Sequence, residues 1–103
     1  MKHAFVYVTA PSRAHAARLA RLAVDGRLAA CANILPRIES VYRWKGRVET
    51  ATESALILKT RMALVPRLTA ALRKAHPYEC PCIVALPIAA GNPDFLRWIE
   101  AET

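Results

Sequence analysis

Residues 28–60 read LAACANILPRIESVYRWKGRVETATESALILKT, and the fold is decided in this stretch. From Leu28 to Val41 it is extended, with Cys31, Asn33 and Leu35 alternating against Ala32, Ile34 and Pro36, the period of two expected of a strand. Pro36 has no N–H to give a ladder, so it marks an edge or a bulge in a long strand. Tyr42-Arg43-Trp44 continues the strand, Lys45-Gly46 supplies the turn, and Arg47 to Thr60 returns as the partner, ending in the apolar run Ala55 to Leu58. Two strands of about 13 residues or more exceed the usual five or six. Such a hairpin overhangs a chain of 103 residues, and the overhang has to pack against something. Another copy of the chain is the economical partner.

On the N-terminal side, His3 to Thr9 alternates and is rich in Phe, Val and Tyr, which reads as a strand. Pro11 and Ser12 break it, with Ser12 placed to cap a helix. Ala16, Leu19, Ala20 and Ala23 then recur on one helical stripe up to Asp25-Gly26, where glycine can take the left-handed conformation. On the C-terminal side, Thr60 is a candidate cap for a second helix whose inward stripe is Val65, Leu68, Thr69 and Leu72. Pro66 belongs in its first turn, Arg73 and Lys74 suit its last, and His76-Pro77 stops it. Cys82 to Ile88 is apolar enough for a central or covered strand. Gly91-Asn92-Pro93 opens a short helix with Phe95, Trp98 and Ile99 on one side. The order strand, helix, strand, strand, helix, strand, with an appended helix, gives a single α+β domain over residues 1–103: a ferredoxin-like βαββαβ antiparallel sheet with a long central hairpin and both helices on one face.

The composition is 54% hydrophobic, which suits one domain, and charges interrupt every stretch that would otherwise approach a membrane span. The N-terminal run has no long apolar core or cleavage site and reads as mature structure. Three cysteines, Cys31, Cys80 and Cys82, make an odd number and point to free thiols in the reducing cytoplasm. The net charge of +7 is scattered from Arg13 to Lys74 with no basic block and no RNA-binding aromatic motif, so no nucleic-acid partner and no membrane partner is expected.

No nucleophile elbow, phosphate loop or zinc-protease motif is present, and the chain has only 3 glycines. Cys31 lies in an apolar context and reads as a buried, inert thiol. Ser12 and His15 fit capping and surface roles. No catalytic residues are assigned, and the expectation is a protein that is not an enzyme. The segment His76-Pro77-Tyr78-Glu79-Cys80-Pro81-Cys82 is where chemistry concentrates, with imidazole, phenol, carboxylate and two thiols on a loop stiffened by two prolines. Thiolate and imidazole suit copper(I) and zinc, which makes His76, Cys80 and Cys82 the candidate metal ligands and copper, or zinc, the candidate cofactor. The competing reading is a plain helix-to-strand loop in which Tyr78 packs and Glu79 pairs with a base such as Lys59. Tyr42 and Trp44 share a face near the turn, and large aromatics there serve as interface anchors or as a stacking wall for a ligand.

With these residues assembled, the chain resembles the CutA family, the divalent-cation-tolerance proteins. The resemblance is carried by Val8-Thr9-Ala10-Pro11, Leu28-Ala29-Ala30-Cys31-Ala32-Asn33, Tyr42-Arg43-Trp44-Lys45-Gly46, Leu58-Lys59-Thr60, His76-Pro77-Tyr78-Glu79, Leu86-Pro87-Ile88, and Gly91-Asn92-Pro93 followed by Trp98. It implies a ferredoxin-like protomer in a tight homotrimer with hairpins crossing between subunits, and a role in tolerance of copper and other divalent metals. The copper ligands it implies are a cysteine two residues before the Ala-Pro of strand one and paired histidines before Pro-Tyr; here those positions hold Val8, Ala75 and His76. Such trimers are also similar to PII-type signalling proteins, which hold small effectors between subunits. That likeness implies a cleft of Lys59, Tyr78 and Glu79, with Trp44 from a neighbouring subunit, that binds an effector without catalysis.

Overall fold

The computed structural model describes residues 2–103. The chain runs β1 (His3–Ala10), α1 (Arg13–Asp25), β2 (Cys31–Trp44), β3 (Arg47–Arg61), a 3-10 turn (Met62–Leu64), α2 (Val65–Ala75), β4 (Ile83–Pro87) and α3 (Pro93–Ala101). The four strands form one antiparallel sheet in the order β2-β3-β1-β4. This is the ferredoxin-like α+β arrangement that the element order requires. Its core lies between the sheet and α1 and α2, where Val6, Val8, Leu56 and Leu58 meet Leu19, Leu68 and Leu72.

Local chemistry explains the boundaries. The Ser12 hydroxyl accepts from the His15 N–H and caps α1. At the other end the left-handed residue is Arg27 (φ 56), not Gly26 (φ −82). Leu28 N–H then donates back to the Ala23 carbonyl at 2.9 Å, closing the helix end. Glycine at 26 relieves a close approach instead, since a Cβ there would sit 3.1 Å from the Leu22 carbonyl oxygen. Lys45 (φ 49) and Gly46 (φ 80) are both left-handed, the mirror-image turn whose twist matches that of its flanking strands.

Two expectations are corrected. Thr60 does not cap α2; it stays in β3, fully buried, with its hydroxyl donating to the Leu28 carbonyl at 2.6 Å, and α2 starts after the 3-10 turn with Pro66 in its first turn. β4 is an edge strand, with Val84 and Leu86 still 52% and 56% exposed. Its other face, Ile83 and Ala85, reaches the core, which accounts for the apolar run without central placement. On α3 only Ile99 is buried, while Phe95 and Trp98 stack tilted at 5.4 Å on the outside.

The hairpin overhangs as expected. β1 pairs with β3 only as far as Ser54, so Arg47–Glu53 have β2 as their sole strand neighbour, a projection of about 24 Å at roughly 3.4 Å per residue. The molecule measures 44 × 25 × 23 Å with a radius of gyration of 14.0 Å, above the roughly 13 Å of a compact chain this long. A bulge interrupts β2: Leu35 faces Ala55 and Ile38 faces Glu53, so Pro36 and Arg37 occupy the space of one residue. Beyond it Tyr42 and Trp44 lie on the Glu53 side, the face of the sheet away from the helices.

Candidate functional site

The loop from His76 to Cys82 leaves α2 and crosses beside the root of the projecting hairpin. His76, at the C-cap of α2, is 8% exposed. Its Nε2–H donates to the Thr9 carbonyl at 2.7 Å, and its Nδ1 accepts from the Tyr78 backbone N–H at 3.1 Å. A carbonyl can only accept and an N–H can only donate, so the tautomer is fixed and both ring nitrogens are spent on the backbone. Imidazole here fastens the loop to the end of β1.

This aims Tyr78 at the hairpin. Its hydroxyl donates to Glu53 Oε1 at 2.7 Å, joining positions 25 apart in sequence. Burial, and after it the Glu53 carboxylate, pushes the Tyr78 hydroxyl well above its ordinary value of 10.0, so it remains a donor. A phenol held neutral in the fold favours folding below the pH at which the unfolded chain ionises, and that contribution fades as pH rises beyond it. Wild-type stability is therefore expected to fall as pH rises above about 10, and Tyr78→Phe to flatten that slope. Urea unfolding at several pH values checks it; equal slopes in the two proteins would contradict the assignment.

Loop and hairpin enclose a cleft of ≈ 810 Å³. Tyr42, Trp44 and Tyr78 give it aromatic walls, and Glu39, Glu53 and Glu79 give it carboxylates. No Lys, Arg or His side chain lines it. Two of the carboxylates are paired at its rim: Glu39 with Arg37 at 3.3 Å, and Glu79 with Lys45 at 3.9 Å. The Lys45 ammonium also lies 5.6 Å from the Trp44 ring centroid. Cys80 and Cys82 border the same cleft as free thiols. A smaller hollow of ≈ 390 Å³ at the other end of the molecule lies between Lys2, Arg61 and Glu100. There the His3 ring nitrogen, 2.8 Å from Glu100, holds that carboxyl below the usual range.

Of the residues expected to bind ligand, Trp44, Tyr78 and Glu79 meet in one cleft within a single chain. Lys59 is elsewhere in the fold, donating to Asn33 Oδ1 on the open sheet face. Glu79 pairs with Lys45 instead. Cys31, opposite Lys59, is half-buried on that open face and not in the core. Of the metal-ligand set, Cys80 and Cys82 reach the cleft while His76 is tied to Thr9 and Tyr78. Among the described residues no three His, Cys, Asp or Glu side chains are grouped to hold an ion. A histidine, cysteine and cysteine centre does not fit this donor geometry; two thiols on their own suit a soft cation. Glu53 was not singled out from the sequence, whereas Tyr42 was, with Trp44, as an interface anchor or a stacking wall. The phase of the bulge that turns Tyr42 to this side is visible only in the strand pairing.

The model of the CutA1 divalent ion tolerance protein family matches residues 4–102. Protein CutA of Mus musculus is 44% identical over 97 residues, covering 94% of this chain and 55% of that protein. The chain thus spans about half the length of the mouse protein, and 54% of the human one. The solved structure of the periplasmic divalent cation tolerance protein CutA from Archaeoglobus fulgidus superposes with a TM-score of 0.94 at 42% identity, covering 97% of each chain. CutA1 from Oryza sativa superposes with a TM-score of 0.96 at 44% identity, covering 100% of this chain and 94% of that one. The fold, the ordered motifs and these matches agree along nearly the whole sequence: the chain belongs to the CutA1 divalent ion tolerance family.

Proposed function

We propose that this chain serves divalent-cation tolerance as a non-enzymatic homotrimer that holds a small ligand in the cleft between the hairpin and the loop of residues 76–82. The observation that carries the reading is the Tyr78–Glu53 hydrogen bond, which fixes a nine-tenths buried carboxylate in an aromatic-walled space large enough for a small molecule. Support for the trimer comes from the uncovered sheet face, where Phe5, Tyr7, Ile57, Val84 and Leu86 lie on the side away from the helices, and from the unsupported hairpin. A second copy of the same shape offers both a matching apolar face and a seat for the projection. The one serine–histidine hydrogen bond among the described residues, Ser12 with His15 at 2.7 Å, caps a helix, which supports a role without catalysis. Three free thiols suit a reducing compartment, so the proposal sets the protein in the cytoplasm.

A second reading has its own observation. Cys80 and Cys82 both border the cleft, two thiols of the kind that suit copper(I) or zinc. Amide shifts recorded against a mixed set of small fragments test the first reading; they are expected to cluster at Glu53, Tyr78 and Trp44, and shifts scattered over the surface would remove it. Titrating the reduced protein with copper(I) and zinc tests the second. Cys80→Ser/Cys82→Ser is expected to abolish uptake, whereas His76→Ala keeps the stoichiometry and unfolds more easily by about 1–3 kcal/mol. Wild type holding no ion more tightly than about micromolar removes the metal reading.

A further inference from the structure

The cleft is acidic on a chain whose net charge is +7. Its three carboxylates are not equivalent. Glu39 and Glu79 sit at the exposed rim, each beside a cation of the chain itself. Glu53 is 9% exposed, and no ion pair among the described residues includes it. Its Oε1 is taken by the Tyr78 hydroxyl. Its Oε2 accepts no hydrogen bond, yet no buried side-chain oxygen lacks a partner, so Oε2 opens onto the cleft. A carboxylate this enclosed, with one neutral partner, gains most from a cation brought to it.

The rim displays the same chemistry already satisfied. Lys45 places its ammonium between the Trp44 ring face, at 5.6 Å, and the Glu79 carboxylate, at 3.9 Å. Ammonium against an indole face with a carboxylate beside it is a favourable arrangement, worth more as water is excluded. In the same cleft the Tyr42 and Tyr78 rings and Glu53 offer the combination without a resident cation. With Arg37 and Lys45 matching two of the three carboxylates, one positive charge is lacking.

We propose that the cleft recognises an organic ammonium ion, its single positive head at Glu53 Oε2 and its apolar body against Tyr42 and Trp44. The proposal rests on the ligand-cleft reading and gives it a charge and a class. Anionic effectors such as nucleotides are excluded by the same carboxylates. The aromatic walls favour a cation with an aliphatic body over a bare hydrated ion.

Three probes of equal length separate the ideas: n-hexylammonium, n-hexanoate and n-hexanol, each titrated into the full chain by calorimetry and followed by amide shifts. Hexylammonium is expected to bind with shifts at Glu53, Tyr78 and the Trp44 indole, while hexanoate does not. Glu53→Gln, whose amide oxygen can still accept from Tyr78, is expected to weaken hexylammonium about tenfold or more, and rim Glu79→Gln much less. Circular dichroism of Glu53→Gln checks that it folds, and Trp44→Leu, which leaves Glu53 in place, is expected to weaken binding as well. Equal binding of hexanoate or hexanol at the same residues, or unchanged affinity in Glu53→Gln, overturns the cation proposal and leaves a ligand cleft standing. Silence of all three probes in the cleft overturns both.

Discussion

Leu58→Ala is expected to lower the unfolding free energy by about 2–5 kcal/mol. Leu58 is fully buried in the C-terminal half of β3, opposite Val6 on one side and Ala32 on the other, on the sheet face that carries α1 and α2. Truncating it removes apolar contact and leaves a cavity walled by strands that cannot close in, because their spacing is fixed by the ladders on both sides. A domain of this size has only about 5–15 kcal/mol in hand, so the midpoint of a urea titration should move markedly. Val48→Ala, at an exposed hairpin position, is the internal comparison and should stay within about 0.5 kcal/mol. Similar losses at both positions would mean that the core does not lie where the fold puts it.

Val84→Arg combined with Leu86→Glu is expected to leave the protomer folded and to dissolve the proposed trimer. Both side chains are about half exposed on edge strand β4, so the isolated chain loses little when they become polar. If a second copy covers that face, each interface acquires buried charge without a partner, at about 3–5 kcal/mol apiece. Sedimentation velocity should shift from trimer to monomer, and the melting temperature of wild type, unlike that of the variant, should depend on protein concentration. A variant that sediments as wild type does would show that copies do not meet through this face.

The strands and helices were legible because each has a short period. Alternation from His3 and from Cys31, and the Leu68 and Leu72 stripe of α2, are written into neighbouring residues. Pro36 announced a bulge, and Lys45-Gly46 announced the tight turn. What stayed hidden depends on pairs remote in sequence. Glu53 lies in the polar run Glu49 to Ser54, where nothing local separates the residue that meets Tyr78 from its neighbours. Lys59 looked equally suited to the cleft, but β3 carries it past the hairpin root, about 20 Å from Glu53 at roughly 3.4 Å per residue. His76 was recognisable as a loop residue of consequence. Whether its nitrogens were free could be known only once Thr9 and Tyr78 were seen on either side of it.

The bulge at Pro36 and Arg37 also governs which mutations of length the protein can accept. Removing one residue there would restore even alternation along β2 and leave Tyr42 and Trp44 on the Glu53 side of the ribbon, whereas removing Glu39 or Ser40 with the bulge kept would present Val41 and Arg43 in their place. The core beneath α1 and α2 would scarcely register the loss, because it is paired upstream of that point. Point substitutions can therefore adjust the cleft one group at a time, whereas a single-codon deletion beyond the bulge would exchange its whole wall in one step. Lineages that lose the bulge residue would be expected to keep the same aromatic wall, while those that gain or lose a residue between the bulge and Tyr42 would differ in what they bind while folding alike.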